Sequence, residues 1–304
     1  MDRIQMDRDG LTLTALIGGD GPLVVLMHGF PDTHESWSNQ WERLVKAGYR
    51  CLVPVMRGYE TGSARAEVAH YATEQIVDDV MAWLDQLNVG AAHIVGHDWG
   101  AVNAYLVATT YPRRVLSLTT LAIPHVSGIR AGIKRHPIQI INSSYMLLFQ
   151  WRGLAEWIVS RRDFAFIDYL WRRWSPNLSS SRDDTLRVKQ ALRQPGVLTA
   201  TLNYYRALFS SRHRPSQKVM SRTLEVPTLM IAGETDACMN VGLYDYIDPT
   251  FFADEWQIER LPIAGHFMQL EAPDQVSDLI VRWLQRHPSA DRTGAQERLS
   301  VSAE

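Results

Sequence analysis

An α/β fold with a mostly parallel central sheet, helices on both faces and an inserted helical lid is predicted by three features of the sequence. Short apolar runs that are continuous rather than alternating recur between segments with helical spacing, as expected of strands buried on both sides. Ala92-His93-Ile94-Val95-Gly96-His97-Asp98-Trp99-Gly100 reads as one such strand entering a helix through a turn that presents Asp98 between small residues. Over residues 125–222 the strand pattern stops and a helical block rich in Arg and Trp takes its place, before strands resume.

In order, strands are expected at 3–6 and 11–17, joined by an Asp9-Gly10 turn. Gly18-Gly19-Asp20-Gly21-Pro22 precedes a strand, whereas a phosphate-binding loop follows one, so it reads as a turn. A buried strand at 23–27 ends in His28-Gly29-Phe30-Pro31 and leads to a helix with Trp37, Trp41 and Leu44 on one face. The strand at 50–55 leaves through Arg57-Gly58-Tyr59. Thr73 is expected to cap a helix whose Ile76, Val80, Trp83, Leu84 and Leu87 form an apolar stripe. The Asp98 turn, its helix and a strand at 115–123 follow. In the helical block, one stripe runs through Phe164, Ile167, Leu170, Trp171 and Trp174, and another through Leu198, Leu202, Tyr205 and Phe209. Strands at 227–232 and 257–261 end near Gly233-Glu234-Thr235-Asp236 and Gly265-His266, and Pro273 opens a closing helix with Val276, Leu279, Ile280, Trp283 and Leu284 inward. The expected organisation is one discontinuous core, 1–124 and 223–290, a helical cap at 125–222, and a flexible tail at 291–304.

Composition narrows the partners. A hydrophobic fraction of 46% and a formal net charge of -2 describe an ordinary globular protein, with no charge excess pointing to nucleic acid or an anionic membrane. Met1-Asp2-Arg3 does not begin a signal peptide and no run is long enough to span a bilayer. Cys51 and Cys238 are expected to be buried free thiols in a reducing cytosol.

In an open α/β sheet, functional groups gather beyond the carboxyl ends of the strands. Here those ends carry Asp98, Asp236 and His266, in the chain order nucleophile, acid, histidine. A carboxylate nucleophile selects the reaction. Attack on an ester or amide would form a reactive anhydride, while attack on a saturated carbon forms an alkyl ester that water can cleave. Opening of an epoxide and expulsion of a halide are the two such reactions. His266 is not needed to ionise a carboxylate, which has a pKa near ~4 in water. Its role would be general base for the water that attacks the ester, with Asp236 orienting its ring and the Phe30 and Trp99 N–H groups as oxyanion hole.

His28-Gly29-Phe30-Pro31, Arg57-Gly58-Tyr59, Gly96-His97-Asp98-Trp99-Gly100, Asn203-Tyr204-Tyr205-Arg206, Gly233-Glu234-Thr235-Asp236 and Gly265-His266 together resemble the epoxide hydrolase branch of the α/β-hydrolase superfamily, over residues 3–287. The resemblance implies two lid tyrosines that hydrogen-bond the epoxide oxygen and protonate the leaving alkoxide. Tyr205 stands in the Asn-aromatic-Tyr-Arg pattern, and Tyr145, in what reads as the first lid helix at 144–150, takes the second place. Tyr204 and Tyr169 read as packing residues. His28, Pro31 and Trp99 are expected at the substrate pocket.

Haloalkane dehalogenases share the Asp elbow and the following Trp, but an apolar Phe30 cannot hold a halide and they lack the tyrosine pair. Fluoroacetate dehalogenases carry Arg where this chain has Trp99. A catalytically silent ligand-binding homologue usually lacks a triad member, and all are present here. Where the family often has Pro shortly after the acid, this chain has Ala237-Cys238-Met239-Asn240. The stretch 124–128 contains no carboxylate, which leaves Asp236 as the acid. No cofactor and no metal are expected: the ten histidines are scattered, and the side chains of His93 and His97 are expected to diverge. Arg161-Arg162 and Arg172-Arg173 read as solvated helix faces. The expected partners are a small apolar epoxide and water, with no nucleic acid and no membrane, in a monomer or homodimer.

Overall fold

Asp9 and Gly10 take φ of 52° and 72°, the left-handed pair that a two-residue hairpin turn requires, and join β1 (Asp2–Arg8) to β2 (Leu11–Gly18). In this computed structural model, which describes residues 1–178, 181–210, 219 and 221–289, the hairpin forms the edge of one eight-stranded sheet. The remaining strands are β3 (Leu23–Met27), β4 (Arg50–Pro54), β5 (Ala92–His97), β6 (Val115–Leu121), β7 (Thr228–Gly233) and β8 (Trp256–Leu261). Their order is β1-β2-β4-β3-β5-β6-β7-β8, antiparallel at β1–β2 and β2–β4 and parallel elsewhere. Every residue of β3, β5, β6 and β7 is buried, which explains why their sequences are continuous apolar runs.

The two faces of the sheet bury separate cores. Along β3, Leu23, Val25 and Met27 point to one face, where α2 (Thr73–Gln86) supplies Ile76, Val80, Trp83 and Leu84 and α3 (Trp99–Thr110) supplies Ala104 and Leu106. Val24 and Leu26 point to the other, against Trp41 and Leu44 of α1 (Ser38–Lys46) and the C-terminal helix at Pro273–Arg286, which contributes Val276, Ile280, Trp283 and Leu284. Leu279 and Leu87 are only partly buried at the margins. Thr73 does not cap α2: it is the first helical residue, and its hydroxyl turns to Glu74 Oε2 at 3.4 Å.

Between β6 and β7 the described residues are mostly helical. They include α4 (Val126–Gly132), α5 (Ile138–Asn142), α6 (Tyr145–Leu148), α7 (Leu154–Trp174), α8 (Ser181–Leu192) and α9 (Val197–Leu208). Two helices therefore precede Tyr145, where the sequence suggested none; both are short, and Pro137 separates them. The long α7 is broken at Arg161–Phe164, with Arg162, Asp163 and Phe164 at positive φ. Beyond the break, Phe164, Ile167, Leu170, Trp171 and Trp174 are buried as their spacing predicts, whereas Tyr169 is exposed rather than packed. In α9, Leu202 and Tyr205 are buried and Leu198 half-buried, while Phe209, just past its end, is 56% exposed. The tail expected at 291–304 lies outside the described residues. Among those described, no helix is long and apolar enough to cross a membrane.

The helical block is tied to the core at Arg57, a residue held by a buried ion pair. Asp79 of α2 accepts two hydrogen bonds from Arg57, from Nε at 2.7 Å and Nη2 at 2.5 Å, and both residues are buried. The Tyr204 hydroxyl of α9 donates to the Arg57 carbonyl at 2.7 Å. Arg8 Nη1 also donates to Asp79 Oδ1, at 2.5 Å, so Asp79→Ala strands the buried Arg57 charge, releases Arg8 and should destabilise the fold by about 3–5 kcal/mol in a denaturant titration. A loss below ~1 kcal/mol would show that the guanidinium finds water instead.

Candidate active site

Asp98 sits at φ 51° and ψ -118°, between the end of β5 and the first residue of α3. A non-glycine residue in this conformation is strained, and it is held because the chain is confined on both sides. A Cβ on Gly100 would lie 2.1 Å from the Met27 carbonyl oxygen, so only glycine lets α3 start against the end of β3. A Cβ on Gly29 would meet Asp98 Cβ and Oδ1 at 2.5 Å. That explains His28-Gly29-Phe30-Pro31: glycine admits the carboxylate, and the next residue, Phe30, donates its N–H to Asp98 Oδ1 at 2.7 Å. Trp99 N–H belongs to the first turn of α3, where backbone donors have no helical acceptor.

On the other side of the carboxylate, His266 Nε2 is 3.6 Å from Asp98 Oδ2 and makes no hydrogen bond. Its Nδ1 is 2.9 Å from Asp236 Oδ2. Asp236 Oδ1 accepts from the Cys238 and Met239 N–H groups at 2.7 and 2.9 Å, so the unusual Ala237-Cys238-Met239-Asn240 run still clamps the acid. Burial disfavours charge on His266, but the Asp236 and Asp98 carboxylates outweigh it and lift its pKa to about 10.

Tyr145 and Tyr205 face each other with ring centroids 5.6 Å apart. The Tyr205 hydroxyl is buried without a hydrogen-bond partner, and Tyr145 Oη lies 3.8 Å from Cys238 Sγ. Burial raises the pKa of both phenols well above the usual value; the nearby Asp98 charge adds to this for each, so both remain donors. The residues around Tyr205 hold it in place. Asn203 Nδ2 donates to the Ala66 carbonyl at 3.1 Å, Tyr204 is tied to Arg57, and Arg206 donates to the Phe149 carbonyl and to Glu156, each at 2.8 Å. Three of the four residues in the Asn203-Tyr204-Tyr205-Arg206 motif are therefore anchors for the fourth.

A cavity of about 440 Å³ is lined by Asp98, Trp99, Tyr145, Tyr205 and Cys238, with apolar walls from Ile123, Ile129, Ile133 and Met146 among others. Of the three residues expected at a substrate pocket, Trp99 lines this cavity. His28 and Pro31 do not: the His28 ring accepts the Met56 N–H at 3.1 Å and packs edge-on to Tyr59, and the Pro31 carbonyl accepts the Trp171 indole N–H at 2.8 Å. Burial drives the His28 pKa down to about 3, consistent with a neutral structural ring.

The sequence reading missed two groups. Asp32, next to Pro31, is buried and has its pKa raised by desolvation to about 7. It lies 3.7 Å from His97 Nδ1, while His97 Nε2 bonds the His266 carbonyl at 2.9 Å. Cys238, read only as a free thiol, is one and also forms part of the cavity wall. Spacing gave no signal for either. Among the described residues, Asp236, Cys238 and His266 bring one donor atom each within 4.8 Å of one another, a cluster a metal ion could share. His93 and His97 hold different partners, Ser117 Oγ and the His266 carbonyl.

The sequence matches the alpha/beta hydrolase fold family over residues 22–273. The chain belongs to the α/β-hydrolase superfamily. Within it, this α/β-hydrolase is 33% identical to the AB hydrolase superfamily protein YfhM of Bacillus subtilis, over 92% of this chain and 96% of that one. It is 31% identical to epoxide hydrolase 4 of Mus musculus, over 89% and 75% of the two chains, which puts it on the epoxide hydrolase branch. Among solved structures, epoxide hydrolase VrEH1 of Vigna radiata superposes with a TM-score of 0.77 at 25% identity, covering 94% of this chain and 98% of that one. The Bacillus megaterium epoxide hydrolase in complex with an inhibitor shares the fold, with a TM-score of 0.79 at 23% identity and coverage of 93% and 100%.

Because Asp98 helps hold the proton on His266, replacing it with Asn should lower the imidazole midpoint from about 10 in an NMR titration. An unchanged midpoint would assign the elevation to Asp236 alone.

Proposed function

We propose that this α/β-hydrolase converts epoxides to vicinal diols through a covalent ester on Asp98. The observation that carries the reading is the pair of protonated tyrosine hydroxyls on the same cavity as Asp98. A halide-expelling enzyme has no need of such a pair.

In the first step an Asp98 carboxylate oxygen attacks an epoxide carbon, the ring C–O bond breaks, and the alkoxide takes a proton from Tyr145 or Tyr205. The Phe30 N–H on Oδ1 orients the carboxylate and leaves Oδ2 for attack. In the second step water attacks Cγ of the ester as His266 Nε2 takes its proton. The proton that His266 gives up on esterification restores the tyrosine. The Phe30 and Trp99 N–H groups then stabilise the oxyanion, the expelled diol oxygen takes from His266 the proton removed from water, and the regenerated Asp98 acid ionises to His266.

The electrostatics order these steps. With Asp98 ionised, His266 has a pKa of about 10 and carries a proton at neutral pH, so it cannot act as a base. Esterification removes the Asp98 charge, the pKa falls, and the ring becomes a proton acceptor once there is an ester to hydrolyse. Alkylation should accordingly vary little between pH 6 and 9, while ester hydrolysis should rise with pH.

In this reading residues 125–222 form a cap over the core at 1–124 and 223–290, and the apolar walls select aliphatic or aromatic epoxides. The two buried free cysteines fit a cytoplasmic site of action.

With styrene oxide and a bromoalkane offered separately, the protein should release diol and no bromide; bromide without diol would assign the alternative dehalogenase activity. Asp98→Ala should abolish turnover. His266→Gln should slow ester hydrolysis by ~10²–10⁴-fold, so that the alkylated Asp98 peptide is seen by mass spectrometry. A folded His266→Gln protein that turns over substrate without accumulating ester would refute the two-step scheme.

Replacing both Tyr145 and Tyr205 with Phe should slow alkylation by a further ~10²-fold or more in single-turnover measurements. A double variant that keeps most of its rate would contradict the epoxide assignment.

A further inference from the structure

The helices over the cavity have an unusual outer side. Twelve large hydrophobic side chains are exposed among the described residues, and seven of them fall between residues 138 and 157. Ile140, Ile141, Leu147 and Trp151 are each more than 60% exposed, and Leu154 and Trp157 continue the series. Other residues of the same stretch, Gln139, Ser143, Tyr145 and Met146, line the cavity, and none of the seven exposed ones does. Single exposed hydrophobics are common on monomers, but a concentration of them marks an interface.

The charge around this stretch indicates what the interface meets. Residues 125–178 contain eight Lys and Arg against three Asp and Glu, a net +5 that the whole-chain value of -2 conceals. All three acids are engaged: Glu156 with Arg206, Asp163 with Lys189 and Arg193, and Asp168 with Lys189. Lys134, Arg135, Arg152, Arg161 and Arg162 are exposed, and among the described residues none has a carboxylate in ion-pair reach. The Arg161 guanidinium lies 4.1 Å over the Trp157 ring, which presents an indole and a cation together.

We propose that this face docks on an anionic lipid surface, with Trp151, Trp157 and the isoleucines in the headgroup layer and the arginines on lipid phosphates. Indoles favour the membrane–water boundary, and long basic side chains keep their charge in the headgroups while burying their stems. A second copy of the chain fits less well, because a two-fold contact would bring one basic face against another. The sequence expectation of no membrane partner rested on the whole-chain charge and on the lack of a spanning run, and this proposal departs from it. Since α5 and α6 also wall the cavity, docking would set the binding site against the bilayer, where apolar compounds concentrate. The proposal does not depend on the chemistry at Asp98.

The test is sedimentation of the full chain with phosphatidylcholine vesicles, pure or containing about one third phosphatidylglycerol, at low and high salt. Binding is expected only with the anionic vesicles, weakening as salt rises, with a blue shift of Trp emission. Trp151→Ser/Trp157→Ser and Arg152→Glu/Arg161→Glu, checked for unchanged thermal melts, should each weaken it by about tenfold or more. No binding to anionic vesicles, equal binding to both compositions, or binding unmoved by either double variant would overturn the proposal. A dimer in analytical ultracentrifugation that Trp151→Ser/Trp157→Ser dissociates would do so as well, and would assign the face to a second copy.

Discussion

Asp98 is held at positive φ because the end of β5, the start of α3 and the end of β3 occupy almost the same space. The chain can be that close only where side chains are missing, at Gly100 against Met27 and at Gly29 against Asp98 itself. Once it is, a backbone donor from the β3 end reaches the carboxylate, and the parallel order of β5, β6, β7 and β8 brings the loops that carry Asp236 and His266 to the same edge of the sheet. The position of Asp98 and the electrostatics of His266 follow from this crowded point, while the tyrosines are brought to it by anchors in the helical block.

Buried charge near that edge is handled in two ways. Away from the cavity, Arg57 and Asp79 pair side by side, and the Arg57 carbonyl holds the hydroxyl of Tyr204. At the cavity, two carboxylates flank one imidazole, and the excess negative charge shows in the raised His266 pKa. The first arrangement stabilises the fold. The second leaves the site unbalanced until one of the carboxylates is neutralised, the condition that alkylation of Asp98 would create.

Much of this was legible from residue patterns. The strands are continuous apolar runs because both faces of the sheet are covered, and the Asp98 turn is recognisable from the glycines its geometry demands. Less local features were harder to read. Thr73 follows a good capping pattern, yet the helix begins at that residue. His28 sits at a strand end where ligands often bind, but its ring is taken up by the Met56 N–H. Asp32 and Cys238 come to the site by folding of loops, and no periodicity marks them. The basic, Trp-bearing face is invisible in whole-chain composition because acids elsewhere in the chain cancel its charge.

Cys238 bears on chemoselectivity. A compartment that admits alkylating agents also contains a sulfur atom, intrinsically a far better nucleophile than any carboxylate. Sulfur attacks as the thiolate, however, and burial together with the charges of Asp236 and Asp98 pushes the Cys238 thiol well above its ordinary pKa. The neutral S–H lies beside the Tyr145 hydroxyl and adds polarizable surface without competing for the electrophile. Burial first, and then the same carboxylate charges that raise the His266 pKa, thus disfavour the thiolate at Cys238.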